Sequence, residues 1–136
     1  MATSFSKVNS FVENLAEKQI DLSGAALTIA LTNTAHTSTW DELADLTEVS
    51  YTNLSARVLT VTTSAQTAGT YKLVLADLTL TASGAVGPFQ YVYIYDDDST
   101  GDKLIGYYDY GSAVTMADGD TFILDFDASA GVITIA

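Results

Sequence analysis

The sequence predicts an all-β fold: a single-domain, two-sheet β-sandwich, jelly-roll-like, with a short N-terminal helix. Two observations predict it. Residues 57–136 contain one segment after another that is rich in Val, Ile, Thr, Tyr and Phe, the residues favoured in strands. Clusters of Gly, Ser, Asp and Ala separate these segments, as turns between strands would. The segments are RVLTVTT, YKLVLADLTLT, FQYVYIYD, KLIGYYDY, TFILDFD and GVITI.

The first twenty residues follow a helical pattern instead. Apolar residues recur there every three to four positions, which is the stripe of an amphipathic helix of about three turns. Ser4 stands where an N-cap is expected, and DLSG at 21–24 ends the pattern. Residues 1–20 are therefore expected to form a helix that closes one end of the sandwich, or an arm that docks on a partner. The stripe consists of Phe5, Val8, Phe11, Val12 and Leu15.

The sandwich itself is expected over residues 26–136, and its first strand over 26–32. Leu27, Ile29 and Leu31 alternate there with smaller or polar residues. Thr39 and Glu42 have the spacing of a capping box, which predicts a short helix near Trp40 within a long excursion between strands.

Two strand patterns carry irregularities. The alternation of YKLVLADLTLT slips at Asp77, which predicts a bulge or a strand break there. In YVYIY, the residues Tyr91, Tyr93 and Tyr95 fall on one face and aliphatic residues on the other. The tyrosines are expected to cover a flank of the sandwich or to form a protein-contact surface, because tyrosine is enriched at interfaces.

Composition limits the partners. A chain of 136 residues is one ordinary domain, and a hydrophobic fraction of 48% is too high for disorder. The formal net charge of −12 disfavours nucleic acid and anionic membranes as partners. No apolar run approaches the roughly 20 residues that a membrane-spanning helix needs, so a soluble protein is expected. The chain has no cysteine, which excludes disulfides and thiolate chemistry.

The acidic turn DDDSTGDK, at residues 96–103, has a partial likeness to a calcium loop. Asp96, Asp98 and Thr100 supply spaced oxygens and Gly101 a turn, but Tyr107 occupies the position of the closing glutamate. A solvated hairpin is therefore expected, and a weak cation site at 96–102 is the alternative. No metal ligands or cofactor are predicted.

Catalytic chemistry has little support in the sequence. His36 is the only histidine, so no histidine-paired nucleophile and no multi-histidine metal site can form. Asp125 and Asp127 alternate with apolar residues, which places them on the exposed face of a strand rather than in a carboxylate pair. The sequence predicts a protein that is not an enzyme and has no catalytic residues.

Three long stretches resemble a known family: FVENLAEKQIDLSGAALTIALTNTA, TAGTYKLVLADLTLTASGAVGPFQYVYIYDD and KLIGYYDYGSAVTMADGDTFILDFDASAGVITIA. Together they cover nearly the whole chain. They resemble the capsid cement, or decoration, proteins of tailed bacteriophages, which sit outside an icosahedral shell. The most specific parts are the LTNTA strand end, the GPF segment with the aromatic residues that follow it, and the C-terminal ending. The resemblance supplies no catalytic motif, so no residue inherits a role.

The resemblance implies a structural virion protein that binds the major capsid protein on the capsid exterior, after synthesis in the bacterial cytoplasm. We expect a homo-oligomer, with a homodimer favoured and a trimer as the alternative. A second reading of the sequence is a receptor- or carbohydrate-binding β-sandwich of a phage fibre or tail, in which exposed aromatic residues line a groove. Its candidates are Trp40, Tyr107, Tyr108 and Tyr110. The expected capsid-contact residues are Phe5, Val8, Phe11, Val12, His36 and Trp40.

Overall fold

A computed structural model of the protein describes residues 4–24 and 26–136. These residues form mostly antiparallel strands, with one short α-helix and a single 3-10 turn at Leu43–Asp45. Neither helix in this part of the chain has the length and apolarity needed to cross a membrane. The strands and the helix are β1 (Phe5–Lys7), α1 (Phe11–Ala16), β2 (Leu27–Thr32), β3 (Val61–Thr67), β4 (Thr70–Leu75), β5 (Leu78–Thr81), β6 (Val86–Asp96), β7 (Lys103–Met116), β8 (Thr121–Leu124) and β9 (Ile133–Ile135).

The strands assemble into a four-stranded sheet of order β1-β7-β6-β2, a three-stranded sheet of order β3-β4-β9 and the pair β5-β8. Side chains from all three share one hydrophobic core. Phe89 of β6, for example, packs edge-on against Phe122 of β8 with ring centroids 5.3 Å apart. The predicted all-β two-sheet sandwich is therefore confirmed, with its second layer divided into a three-stranded and a two-stranded part.

The predicted N-terminal helix exists, but it is shorter and begins later than the apolar stripe suggests. Phe5–Lys7 form β1 and pair with residues 106–108 of β7. The Phe5 ring packs against Tyr108, with centroids 5.4 Å apart, and lies over Gly106, where an added Cβ would meet the end of that ring. This packing of Phe5 on β7 holds Phe5–Lys7 in an extended conformation. Ser10 occupies the N-cap position instead of Ser4, and α1 has only six residues.

Residues 33–60 form a long excursion between β2 and β3, which we call the β2–β3 excursion. It covers the outer face and both edges of the four-stranded sheet. The Val49 amide donates to the Leu31 carbonyl, and the Leu104 amide of β7 donates to the Asp41 carbonyl. Because Asp41 and Glu42 lie beside β7, where Glu42 is extended and bridges Lys103, the predicted helix near Trp40 cannot begin at Thr39. It is the 3-10 turn, and its capping box joins Glu42 to Asp45.

Two of the three tyrosines of β6 do not lie on a flank of the sandwich as predicted, because the β2–β3 excursion covers them. Tyr93 and Tyr95 are 0% and 3% exposed, so they are core residues and not a solvent-facing flank. Tyr91 alone remains half-buried. All six residues of β2 are buried as well. The β2–β3 excursion covers the face of β2 that carries its smaller residues, Thr28, Ala30 and Thr32.

The break predicted near Asp77 is confirmed. β4 ends at Leu75 and β5 begins at Leu78, and β5 pairs with β8 instead of continuing beside β9. The Asp77 carboxylate accepts the Phe126 amide at 2.9 Å, which fixes the chain where it passes between the two short sheets.

Candidate interaction surfaces

An apolar groove runs between α1 and the C-terminal strand. Its volume is about 550 Å³, and a second hollow of about 480 Å³ adjoins it, with Leu15 and Ile135 lining both. We call the two together the α1–β9 groove. Its apolar walls are formed by Phe5, Phe11, Val12, Ala16, Val132 and Ile133.

The two strands that flank the groove, β1 and β9, lie at the edges of their sheets. β1 is the outermost strand of the four-stranded sheet, and β9 is the outermost strand of the three-stranded sheet. Between them, α1 presents Val12 at 53% exposure, and β9 presents Ile135 at 42% exposure. Exposed apolar side chains beside unpaired strand edges favour association with another chain.

The charge at this groove is opposite to that of the molecule as a whole. Lys7 and Lys18 line it, whereas Asp21 is the single acidic lining residue that the structure describes there. Two of the other basic residues are engaged elsewhere: Arg57 lies over the Tyr51 ring, 3.7 Å from its centroid, and Lys103 forms an ion pair with Asp41. On a chain with seventeen acidic and five basic residues, the α1–β9 groove is thus a basic-rimmed site.

A second surface, the aromatic patch, consists of His36, Trp40, Tyr93 and Tyr107. His36 stacks on Tyr107 with centroids 4.5 Å apart, and its Nδ1 lies 2.8 Å from the Tyr93 hydroxyl. Trp40 meets His36 edge-on at 5.7 Å. Burial lowers the pKa of His36 and, together with the neighbouring tyrosines, raises that of Tyr93. The patch therefore favours a neutral imidazole packed among rings.

The expected capsid-contact residues do not form one surface. Phe5 pairs with Tyr108, whereas the next residue pairs with Tyr107, so Phe5 and the aromatic patch lie on opposite faces of the same sheet. Val8 and Phe11 are buried, at 0% and 3% exposure, and serve the core; Phe11 also reaches the wall of the groove.

Of the six expected residues, Phe5, Phe11 and Val12 line the α1–β9 groove, and His36 and Trp40 lie half-buried in the aromatic patch. The sequence alone missed Ile135 and Lys18 as groove residues. The free edge of β9 depends on strand order, which no local pattern encodes.

The four aromatic residues expected for a glycan-binding groove are also separated. Trp40 and Tyr107 both contact His36 in the aromatic patch. Tyr108 is buried on the other face of the sheet, and Tyr110 packs on Phe122 at 5.3 Å. These residues do not line a common groove.

The acidic turn is a hairpin connecting β6 to β7, as expected. The Asp96 carboxylate is buried and accepts the amides of Asp21 and Asp98, at 2.9 Å and 3.1 Å. Asp102 has a raised pKa because burial and nearby carboxylates disfavour its charge. Over residues 4–24 and 26–136, no group of three or more His, Asp or Glu side chains is arranged to hold a metal ion.

A cluster of two ion pairs around Lys103 was not foreseen from the sequence. Lys103, at the start of β7, donates to Asp41 at 2.7 Å and to Glu42 at 2.8 Å. Asn14 of α1 donates to the other oxygen of Asp41 at 2.6 Å. The cluster ties the helix, the β2–β3 excursion and β7 together beneath the aromatic patch.

Comparison with known proteins finds no match among family models, curated protein sequences or solved structures.

Proposed function

We propose that this protein is a non-enzymatic structural component of a virion: a cement protein that binds the outside of an icosahedral phage capsid and stabilises contacts between its subunits. The observation that carries the proposal is the α1–β9 groove, an exposed apolar site built from the same N-terminal segment in which the sequence places the capsid contact. The family resemblance supports the same conclusion. The partner is the major capsid protein.

Physical considerations favour this role for an acidic β-sandwich. A protein that binds only the mature lattice stabilises that lattice by mass action, and modest affinity at each of many repeated sites suffices. The net charge of −12 disfavours contact with packaged DNA and limits non-specific aggregation in the bacterial cytoplasm, where the protein would be made.

Cosedimentation with capsids tests the proposal. Purified protein is mixed with empty capsids of the parent phage before and after expansion, and the pelleted fraction is measured against protein concentration. We expect saturable binding to expanded capsids and a higher temperature of capsid disruption. Protein that remains in the supernatant at all concentrations would refute the cement role.

The working unit is proposed to be a homodimer, because closed two-fold pairing is the commonest arrangement and lets one unit span neighbouring capsid subunits. Sedimentation equilibrium of the free protein distinguishes the states. A trimer or a strict monomer across the concentration range would contradict the dimer.

The alternative function, receptor or carbohydrate binding by a fibre or tail component, has weaker support because its candidate aromatic residues are distributed over separate surfaces. A glycan array gives the discriminating result. Specific glycan binding that is lost in Trp40→Ala would favour this alternative over the cement role.

A further inference from the structure

We propose that the α1–β9 groove binds one extended peptide segment of a partner protein, which carries alternating apolar and acidic residues and lies along the free edge of β9. This deepens the proposed function and rests on it only for the identity of the partner. The mode of binding is argued from the groove itself.

The backbone of β9 at the groove is open to pairing with an added strand. Among residues 4–24 and 26–136, β9 pairs only with β4, as Tyr71↔Ile135, Lys72↔Thr134 and Leu73↔Ile133. An outermost strand offers amide and carbonyl groups to an added strand, and such main-chain pairing is a recurring mode of peptide recognition. The four residues 132–135 all line the groove. At roughly 3.3 Å per residue they match a bound segment of about four residues.

The apolar lining of the groove selects the side chains of a bound strand that point into it. Successive side chains of an extended segment point to opposite sides, so every second one would enter the groove. There it would meet Phe11, Val12 and Leu15, which are apolar. Val12 and Ile135, at 53% and 42% exposure, would be covered by this contact. The side chains entering the groove should therefore be aliphatic.

The lysines at the rim of the groove select the remaining side chains of the bound segment. Lys7 and Lys18 line the groove, and their side chains are available at its rim because both residues are exposed. Acidic residues on the bound segment would meet these lysines, whereas the rest of this strongly acidic molecule would repel them. The preference for an acidic segment is thus confined to this site.

A second copy of the chain is a poorer occupant. A two-fold contact through this groove would bring Lys7 and Lys18 near their own counterparts, so the homodimer proposed above would use another surface. An anionic membrane surface is disfavoured by the net charge of −12.

Two capped octapeptides serve as probes: one alternates valine with glutamate, and the other alternates valine with lysine. A third has the first sequence with proline at its two central positions, which prevents strand pairing. Binding to the full chain is followed by fluorescence anisotropy, and the contact is mapped from backbone amide shifts.

We expect the glutamate peptide to bind at least tenfold more tightly than the other two and to shift the amides of Ile133, Thr134 and Ile135. Val12→Asp should weaken it at least tenfold. The matched control is Ile123→Asp on β8, a residue of nearly equal exposure, 54% against 53%, which should change the affinity less than twofold. Lys7→Glu combined with Lys18→Glu should reverse the preference between the glutamate and lysine peptides.

Any of three results would overturn the proposal: equal affinity for the two charged peptides, unchanged binding by the proline peptide, or amide shifts confined to another surface. So would absence of binding at millimolar peptide. Self-association that Val12→Asp abolishes would assign the groove to a second copy instead. The peptide-binding experiments contain no capsids, so the two proposals can fail separately. Lost cosedimentation with intact peptide binding refutes only the cement role. Lost peptide binding with intact cosedimentation refutes only the peptide site.

Discussion

Replacing Lys103 by methionine removes the ammonium group that joins Asp41 and Glu42 to β7 and leaves the length of the side chain nearly unchanged. The exposed fractions of the Lys103, Asp41 and Glu42 side chains are 11%, 33% and 41%. Breaking a fully buried pair costs about 3–5 kcal/mol, and an exposed pair contributes about 0.2–1 kcal/mol. This partly exposed cluster lies between those limits. We therefore expect Lys103→Met to lower the free energy of unfolding by about 2 kcal/mol, with a fall in Tm of about 5–10 °C.

The loss of stability in Lys103→Met should also depend on pH. Burial opposes the charge of Asp41, but the hydrogen bonds from Lys103 and Asn14 outweigh it and hold the pKa below the ordinary 3.8. Stability from this depressed pKa is present above 3.8 and is lost as the pH falls through the lower folded value. Hydrogen bonds to Asp41 and Glu42 raise the pKa of Lys103 above 10.5, so its contribution is lost only as the pH rises beyond that value. The difference between wild type and variant should therefore be constant near neutrality and shrink in acid.

Urea unfolding followed by the fluorescence of Trp40 measures this effect, because the single tryptophan adjoins Asp41 in sequence. The control is Lys72→Met, since the Lys72 ammonium donates to a backbone carbonyl, that of Ser129, on the surface. It should change stability by less than about 0.5 kcal/mol. The reasoning is refuted if Lys103→Met matches that control at neutral pH, or if its deficit is the same near pH 3 and pH 7.

Three further predictions follow from other parts of the molecule. Gly106→Ala should lower the free energy of unfolding by about 1–3 kcal/mol, because the added methyl group displaces the Phe5 ring. An unchanged urea midpoint would contradict the packing of Phe5 over Gly106. Burial depresses the pKa of His36, so stability should be fully present above 6.5 and decline as the pH falls through the lower folded value. An NMR titration of this single histidine with a midpoint at or above 6.5 would disprove it. Calcium should leave Tm unchanged, because the Asp96 carboxylate is already occupied by two amides; a strong rise that a chelator reverses would show a cation site.

Sequence patterns identified features that depend on neighbouring residues. The break at Asp77 was predictable because the alternation of apolar residues slips within a few positions of it. The hairpin at residues 96–102 was predictable from its Asp, Ser and Gly content. Both were confirmed because local turn chemistry was sufficient to decide them.

Features that depend on distant residues were mispredicted. The spacing of the apolar stripe from Phe5 to Leu15 fits a helix. Phe5 instead lies in a strand, because Gly106 has no side chain and leaves room for the Phe5 ring on β7. The burial of Tyr93 and Tyr95 is decided by the β2–β3 excursion, which approaches from another part of the chain. The groove was only half predictable for the same reason: Val12 lies in the apolar stripe, whereas the position of β9 beside it follows from pairing with β4.

The pairing of β1 with β7 has a consequence during synthesis of the protein. Phe5 leaves the ribosome about a hundred residues before its partner Tyr108. At about 5–20 residues per second, the first strand waits roughly 5–20 s for that partner. During this interval Phe5, Val8 and Phe11 form an apolar segment without its β7 partner on the nascent chain, and exposed apolar segments of this kind are prone to aggregate. Completion of the four-stranded sheet therefore belongs to the last stage of folding, after most of the chain has emerged.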